Sequence, residues 1–419
     1  FFITKNQPGW WDEMEYASIA LHWAIGLPYH INPQRPPLLP FLEFIILKIG
    51  GGEVLMRFFL LVLPSIGLVV LAYLIGKEMY NKKIGLIASI ITAVFWEILF
   101  NTTRFHVEVL LLFFVYLSIY LFWKGYIEKA KKYYIWLFGV ILALAFITKY
   151  TTFLVGFIFV LFLFVTERFK FLKNKDLWIA VLLFFITLIP YFIWGYISFD
   201  TFFPFLTASG SGDVGRPLME AFKEIFGYVP FFLGNVLFVL FFIGLIIILF
   251  RLVIGFDILL KETDNRMKAN LLNLLFILVF LSYFTFLMRG AEDRWVLPIA
   301  LSLILILGNG VLFVYDFIKK YNKYVAVVVI ISLLGFGIYE EIKQADFVIK
   351  NKKDTYLQVK EAALWMKENS DVNDKIFSVS KPQTFYYSQR ETLTYTEFLT
   401  ENGEYELIED SKEKDNYLF

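Results

Sequence analysis

The chain has 419 residues, of which 58% are hydrophobic, 20% are aromatic and only 18% are charged. Soluble domains average about 45–50% apolar and about 25% charged residues, so this composition excludes a soluble multidomain enzyme and a disordered chain. The net charge of +1 argues against a nucleic-acid partner, and the absence of cysteine excludes disulfides and zinc–thiolate sites. By elimination, the chain is predicted to be an all-α polytopic membrane protein.

Ten stretches of the sequence are predicted to cross the membrane, because a spanning helix needs about 20 mostly apolar residues. These stretches lie near residues 54–75, 84–100, 105–123, 133–148, 150–165, 177–198, 230–254, 270–288, 295–313 and 324–338. The opening Phe1-Phe2-Ile3-Thr4 is interpreted as the outer end of a further helix that starts before this sequence. The prediction is therefore about eleven spans with the first truncated.

Positively charged residues are concentrated in every second loop between the predicted spans. One set carries most of the lysines and arginines, at residues 77–83, 124–132, 168–175, 251–268 and 319–323. Because basic loops face the cytoplasm, this set is predicted to be cytoplasmic. The chain is thus expected to be a multi-pass cell-membrane protein whose residues 1–53, 199–229 and 340–419 lie outside the cytoplasm.

The first outer segment contains candidate catalytic groups. Two stretches, residues 13–25 and 38–49, are amphipathic enough to lie along the membrane interface. Asp12 and Glu13 precede the first of them, where they serve either as helix-capping groups or as acid–base groups. Arg35 stands before Pro36-Pro37 on a stiff extended stretch, where it contacts either lipid or a ligand anion.

Further charged residues fall at the outer ends of later spans. Glu108 lies about one turn inside a span, where a carboxylate needs a partner or a polar cavity; Arg104 is a structural candidate for that partner. Lys149 lies in a very short outer connection, and residues 289–294 hold a charged cluster. Carboxylates beside cations suit a reaction in which an acceptor loses a proton and a phosphate leaves.

The C-terminal segment changes composition sharply and is rich in Lys, Glu, Asp and Asn. Residues 361–366 are predicted to form an amphipathic helix and residues 376–379 a strand. We therefore divide the chain into a transmembrane domain, residues 1–339, and a small extracytoplasmic α/β domain, residues 340–419. Residues 1–53 are the first outer loop of the transmembrane domain, with its interfacial helices.

Six sequence elements follow one another in a recognisable order between residues 9 and 313. They are Asp12-Glu13, Gln34-Arg35-Pro36-Pro37-Leu38, Arg57 after Gly50-Gly51-Gly52-Glu53, Phe105-His106-Val107-Glu108-Val109-Leu110, Ala145-Phe146-Ile147-Thr148-Lys149-Tyr150, and Arg294-Trp295-Val296-Leu297-Pro298. In this order they resemble the motifs of the GT-C glycosyltransferases of the dolichyl-phosphate-mannose protein mannosyltransferase group, including the bacterial aminoarabinose lipid A transferases. Two positions depart from the pattern: Trp295 replaces the usual Tyr, and Glu108 stands where Asp is common.

The resemblance implies a GT-C fold and an inverting glycosyltransferase that takes a sugar from a polyprenyl- or dolichyl-phosphate donor on the outer face. It implies Asp12 as the general base, with Glu13 supporting or sharing that role. The implied contacts to the donor phosphate are Arg35, Lys149 and Arg294. The implied contacts to the substrates are Glu108, Trp295 and Arg57. No metal ligand is assigned, because metal use differs among these enzymes and a divalent metal is left open.

The expected partners are the lipid-linked donor, membrane lipids and an acceptor that is a protein, a lipid or a glycan. One alternative function is a transporter or flippase of lipid-linked sugars or polysaccharide. A transporter should place ionisable groups and broken helices near the middle of the membrane, and Pro64 and Pro190 lie inside predicted spans. A second alternative is a non-catalytic scaffold, which leaves the outer charges without a purpose.

Overall fold

The computed structural model describes residues 4–206, 214–255 and 264–394. Its helices are α1 (Trp11–Ile25), α2 (Leu38–Lys48), α3 (Glu53–Met79), α4 (Lys82–Val94), α5 (Trp96–Thr103), α6 (Glu108–Ile127), α7 (Lys132–Phe146), α8 (Tyr150–Glu167), α9 (Lys175–Phe199), α10 (Leu218–Ile254), α11 (Asn265–Met288), α12 (Asp293–Lys319), α13 (Lys323–Lys352), α14 (Leu357–Asn369) and α15 (Lys381–Ser388). Two short strands, β1 (Lys375–Phe377) and β2 (Glu391–Leu393), flank α15.

In the described part of the chain, each predicted span corresponds to one helix, except that residues 84–100 are divided between α4 and α5. Eight helices are long and apolar enough to cross a membrane, namely α3, α6 and α8 to α13. The pair α4 and α5 would add a ninth span, bent by 47°, and the 15-residue α7 is shorter than the others. The prediction of a polytopic helical membrane protein is confirmed, whereas the number of spans stays a prediction.

Asparagine and aspartate side chains start four of the helices that follow the basic loops. The side-chain oxygens of Asn81, Asn174, Asp264 and Asn322 accept hydrogen bonds from backbone N–H groups in the first turns of α4, α9, α11 and α13. Those N–H groups have no partner within their own helix, so each cap stabilises its helix by about 1 kcal/mol. The sequence thus fixes where these helices begin.

Two helix breaks are satisfied by neighbouring carboxylates of α13. At Gly234 the backbone of α10 leaves the helical region with a φ of 60°, and Glu340 accepts hydrogen bonds from Val236 N–H at 3.2 Å and from Asn235 Nδ2 at 3.1 Å. At the bend between α4 and α5, Glu341 accepts a hydrogen bond from Trp96 N–H at 2.9 Å. Both carboxylates therefore replace intrahelical partners that the breaks remove.

Helix α12 lies at the centre of the bundle, and 89% of an 18-residue apolar stretch of this helix is buried. It packs tightly against α10, because glycines replace side chains at the crossing. A Cβ atom added to Gly310 would lie 2.0 Å from the carbonyl oxygen of Leu240, and one added to Gly244 would lie 2.1 Å from that of Ile306. Small residues at such crossings let two apolar helices approach closely.

The C-terminal segment forms a small α/β unit, as predicted. Strands β1 and β2 pair in parallel with Ile376 opposite Thr392, and α15 connects them. Helix α14 contains the predicted helix 361–366, and β1 overlaps the predicted strand 376–379. Residues 395–419 of the predicted domain lie outside the described residues, and the side of the membrane that this unit occupies stays a prediction.

Two boundaries differ from the prediction. Helix α13 continues to Lys352, well past the predicted end of its span at residue 338, so the predicted domain boundary at 339/340 falls within a helix. Helix α10 begins at Leu218, inside the predicted outer segment 199–229. In both cases charged residues interrupt the additional turns, and hydropathy alone does not detect a helix that continues beyond the apolar core.

Candidate active site

Asp12 joins two arginines that come from distant parts of the chain. It lies in the first turn of α1, with its Oδ1 atom 2.6 Å from an Nη atom of Arg35 and its Oδ2 atom 2.6 Å from an Nη atom of Arg294. The side chains remain partly accessible, with exposed fractions of 25% for Asp12, 21% for Arg35 and 20% for Arg294. Three of the residues that the family resemblance implies for the site therefore lie in direct contact.

Each arginine is held by additional acidic partners. The Nε atom of Arg35 donates to Glu15 Oε2 at 2.6 Å, and its guanidinium lies 5.4 Å from the centroid of the Tyr16 ring. Arg294 donates through Nε to Glu292, and its backbone N–H donates to Asp293 Oδ1 at 2.7 Å. These contacts keep both guanidinium groups directed at Asp12, so the geometry is established before a substrate arrives.

The two arginines keep Asp12 ionised. Burial alone would raise the pKa of Asp12, but the positive charges of Arg35 and Arg294 outweigh burial and hold the pKa well below its ordinary value. Asp12 is therefore a carboxylate at neutral pH, with its two oxygens occupied by cations. Any anion that attracts the arginines away would restore basicity to this carboxylate.

Glu13 follows Asp12 in the first turn and is fully buried. It forms a two-pronged pair with Arg104, at 2.7 Å from Nε and 2.9 Å from Nη, and it accepts a hydrogen bond from Trp10 N–H at 2.9 Å. Burial would raise the pKa of Glu13, but Arg104 and His106 outweigh burial and lower it. The capping interpretation thus holds for Glu13, and the Arg104–Glu108 pair suggested by their spacing is wrong because Arg104 binds Glu13.

A second ion pair lies next to the Asp12 cluster. Lys149 Nζ is 2.9 Å from Glu108 Oε1, at the first residue of α6. The short turn around Lys149 packs on the Arg35 loop, because Tyr150 O–H donates to the Pro33 carbonyl at 3.2 Å. Arg294 interacts electrostatically with both Glu108 and Asp12. Five of the predicted site residues therefore form one continuous charged cluster: Asp12, Arg35, Glu108, Lys149 and Arg294.

Two other predicted site residues lie away from Asp12. Arg57 is buried, and its guanidinium donates to the carbonyls of Thr103 and Gln7 at 3.1 Å each. Trp295 follows Arg294 and packs against the bundle core, with its ring centroid 6.1 Å from that of Phe284. Both side chains therefore support segments that carry the cluster.

A cavity of about 400 Å³ opens beside Asp12 and Arg294. Its lining includes Trp10, Trp96, Glu97 and Asn101, none of which was selected from the sequence. Within the described residues, Glu97 Oε2 and Asn101 Oδ1 are buried without a hydrogen-bond partner. The spacing of Glu97 and Asn101, four residues apart in an apolar stretch, was the signal that could have identified them.

The next question is whether the described residues offer ligands for a metal ion. Among the residues that the structure describes, no group of three or more His, Asp or Glu side chains is arranged to hold a metal ion. Arginine and lysine side chains balance the negative charges of Asp12 and Glu108. The described site thus has cationic side chains where a phosphate charge could be stabilised.

Residues 34–194 match the family model described as dolichyl-phosphate-mannose-protein mannosyltransferase. The predicted resemblance is confirmed. This match also supports the enzyme class predicted for the chain, a glycosyltransferase. No curated protein sequence shows significant similarity to the chain.

Solved structures share the fold over nearly the whole chain. ArnT from Cupriavidus metallidurans without ligand superposes with a TM-score of 0.68 at 12% identity, covering 94% of this chain and 83% of ArnT. ArnT bound to undecaprenyl phosphate gives 0.65 at 13% identity, covering 93% and 82%. The oligosaccharyltransferase AglB from Archaeoglobus fulgidus, with an inhibitory peptide and a dolichol-phosphate, gives 0.58 at 13%, covering 93% of this chain and 61% of AglB. At these identities the comparison establishes the fold.

Proposed function

We propose that this chain transfers a sugar, with inversion, from a polyprenyl- or dolichyl-phosphate donor to an acceptor on the extracytoplasmic face. The observation that carries the proposal is the contact of one carboxylate, Asp12, with two arginines from remote segments. The fold shared with ArnT, solved with undecaprenyl phosphate, and with AglB, solved with a dolichol-phosphate, supports the class of donor. The confirmed family resemblance supports the class of reaction.

The donor phosphate binds where Arg35, Arg294 and Lys149 converge. Two guanidinium groups can each donate two parallel hydrogen bonds to phosphate oxygens, and an ammonium adds a third positive charge. In the structure these cations are neutralised by Asp12 and Glu108. An incoming phosphate competes for the same N–H groups. Binding of the lipid-linked sugar therefore breaks the ion pairs of Asp12 without leaving the cations unpaired.

The lipid chain of the donor has an apolar groove next to Lys149. A cavity of about 310 Å³ is lined by Phe146, Thr152 and Phe153 on either side of the Lys149 turn, and by Phe203 and Phe205. Its walls are almost entirely aliphatic or aromatic, which suits an isoprenoid chain. A donor can thus keep its tail in this groove while its phosphate reaches the arginines.

The reaction is a single displacement at the anomeric carbon. The acceptor atom forms a bond to this carbon while the bond from the carbon to the phosphate oxygen breaks. The acceptor proton passes to Asp12, and the electron pair of the broken bond leaves with the polyprenyl phosphate. Arg35, Arg294 and Lys149 stabilise the charge that develops on this leaving group. One displacement inverts the configuration at the anomeric carbon.

The remaining predicted residues receive different roles. We assign Glu108 to orientation of Lys149, because these two side chains form an ion pair at 2.9 Å. Glu13 and Arg57 position the first outer segment, since they bind Arg104 and the backbone of Gln7 and Thr103. Trp295 fixes the direction of Arg294 through its packing on the core. Asp12 alone then serves as the base.

The transport alternative is distinguished by the location of the charges. The cations and carboxylates of the site lie at helix ends, whereas a transporter concentrates them midway along its spans. Reconstituted vesicles with donor on one side provide the test. We expect sugar transfer without movement of intact donor across the bilayer.

Substitution of the base tests the proposed reaction. Purified protein in nanodiscs is incubated with a panel of polyprenyl-phosphate sugars and an envelope extract that supplies acceptors, and released polyprenyl phosphate is measured by mass spectrometry. Asp12→Asn should lower the rate by about 100-fold or more, the usual contribution of a general base. Asp354→Asn, an exposed carboxylate of the C-terminal segment, is the matched control. Wild-type activity in the purified Asp12→Asn variant would reject Asp12 as the base.

A further inference from the structure

A second cavity lies at the end of the bundle opposite to Asp12. Helix α3 has 27 residues, so it extends about 40 Å from Glu53, next to the first outer segment, to Met79. The cavity begins at Tyr80, directly after this far end, and has a volume of about 570 Å³. We call it the distal cavity. It is too remote from Asp12 to belong to the candidate active site.

Positive side chains from three separate segments surround the distal cavity. Lys82 and Lys83 come from the start of α4, Arg251 from the end of α10 and Arg266 from the start of α11. A single acid, Asp316, accompanies them. Among the described residues, these four cations form no ion pair, although Lys83 lies over the ring of Tyr315. Like charges that share one opening repel one another unless an anion joins them.

The floor of the distal cavity is polar although it lies among apolar helices. Tyr80 O–H donates to Asn270 Oδ1 at 3.0 Å, and Asn273 Nδ2 donates to the Tyr80 hydroxyl at 3.1 Å. Asn309 lies beside this network and also lines the cavity. Loop orientation accounts for cations near this end of the bundle. It does not account for a cavity with a hydrogen-bonded polar floor.

One wall of the distal cavity is apolar and faces the surroundings of the bundle. Ile247, Leu312 and Phe313 form it, and Phe313 has an exposed fraction of 49%. A cationic rim next to an exposed apolar wall suits an amphiphile whose anionic headgroup enters the cavity while its chains lie along the helices. A free phosphate would use the rim and the floor but would leave the apolar wall unused.

We propose that the distal cavity binds the phosphate headgroup of an anionic membrane lipid. The phosphate accepts hydrogen bonds from Arg251, Arg266, Lys82 and Lys83. Basic pockets between membrane helices commonly bind lipid headgroups in this way. Tyr80 and Asn309 line the floor of the cavity, next to which the polar groups of the headgroup lie. The acyl chains lie against Ile247 and Phe313. The site is independent of the proposed sugar transfer, because its residues do not contact the Asp12 cluster.

Native mass spectrometry of the detergent-solubilised full chain tests this proposal. The chain is titrated with dioleoyl-phosphatidylglycerol, dioleoyl-phosphatidic acid and dioleoyl-phosphatidylcholine. We expect one molecule of either anionic lipid to bind at least about tenfold more tightly than phosphatidylcholine. The double variant Lys82→Gln/Arg251→Gln should lose about tenfold of this affinity. Equal affinity for phosphatidylcholine in the wild type would overturn the proposal.

A control variant separates a built site from general surface charge. Arg168→Gln/Lys173→Gln removes one arginine and one lysine from the same end of the bundle but outside the distal cavity, and its lipid affinity should stay within about twofold. An equal loss in this control would show that bulk charge attracts the lipid. If the first variant does not fold, Lys82→Gln/Lys83→Gln, at two exposed positions, replaces it with the same expectation. Tight binding of inorganic phosphate that displaces the anionic lipid would contradict the lipid assignment.

Discussion

At the scale of single residues, the charge state of Asp12 is the property on which the proposed chemistry depends. Arg35 and Arg294 hold its pKa below the ordinary aspartate value despite burial. An ionised carboxylate is a proton acceptor at every physiological pH, but one that binds two cations is a weak base. Donor phosphate, by sharing the arginines, would strengthen the base only when substrate is present.

The first prediction concerns the pH dependence of the reaction. In the wild type, the acid limb of kcat/KM should lie below the ordinary range of an aspartate, because Asp12 must be ionised and its pKa is lowered. In Arg294→Gln the carboxylate loses a cation, its pKa rises, and the acid limb should move to higher pH. Arg289→Gln, an exposed arginine on the same connection, should leave the limb in place. An unshifted limb in Arg294→Gln would argue against a titrating Asp12.

The second prediction concerns two fully buried glutamates whose pKa values are shifted in opposite directions. Glu13 is paired with Arg104 and its pKa is lowered, whereas burial raises the pKa of Glu43, whose carboxyl oxygens have no partner among the described residues. Glu13→Gln leaves the buried Arg104 uncompensated and should destabilise the protein by about 3–5 kcal/mol. Burial favours the uncharged form of Glu43, so Glu43→Gln removes no stabilising ion pair and should cost less than about 1.5 kcal/mol. Thermal unfolding in detergent compares the two, and equal losses would contradict this difference.

At the scale of elements, the C-terminal unit supports α1, the helix that carries Asp12, the proposed base. Met14 and Ala17 of α1 pack against Ala363 and Tyr387. Tyr387 O–H accepts a hydrogen bond from Gly9 N–H at 3.0 Å, three residues before Asp12. The C-terminal unit and the buried Glu13–Arg104 pair thus both fix the first turn of α1.

The third prediction tests this support. Tyr387→Phe removes the hydroxyl acceptor of Gly9 N–H and should reduce stability by about 1 kcal/mol and slow sugar transfer, because the first turn of α1 becomes less well fixed. The donor KM should change less than kcat, since Arg35 and Lys149 are unaffected. Tyr386→Phe is the control, because its hydroxyl forms no hydrogen bond with a described residue. Identical behaviour of the two variants would show that the Gly9 contact does not position Asp12.

At the scale of the whole molecule, much of the bundle could be predicted because a membrane imposes a simple rule. A span must be apolar over its full length, and so hydropathy located each helix of the bundle. The family resemblance also implied that Asp12, Arg35 and Arg294 belong to one site, and these side chains lie in contact. Ion pairing in a low-dielectric region explains that meeting, since isolated charges there are costly.

The features that were not predicted depend on contacts between distant residues. Local spacing suggested that Arg104 pairs with Glu108, but the fold brings Glu13, 91 residues away, to the Arg104 side chain. The break at Gly234 and its carboxylate partner on α13 likewise involve two helices. Sequence patterns report a helix and its faces, whereas the partner of a buried charge is decided by packing.

The most direct test of the central claim is a cryo-electron microscopy map of the full chain with polyprenyl phosphate. The account predicts a phosphate within about 4 Å of the guanidinium groups of Arg35 and Arg294, with the Asp12 carboxylate released from at least one of them. The isoprenoid chain should follow the groove that includes Phe146 and Phe153. A phosphate bound elsewhere, with both arginines still on Asp12, would contradict the account.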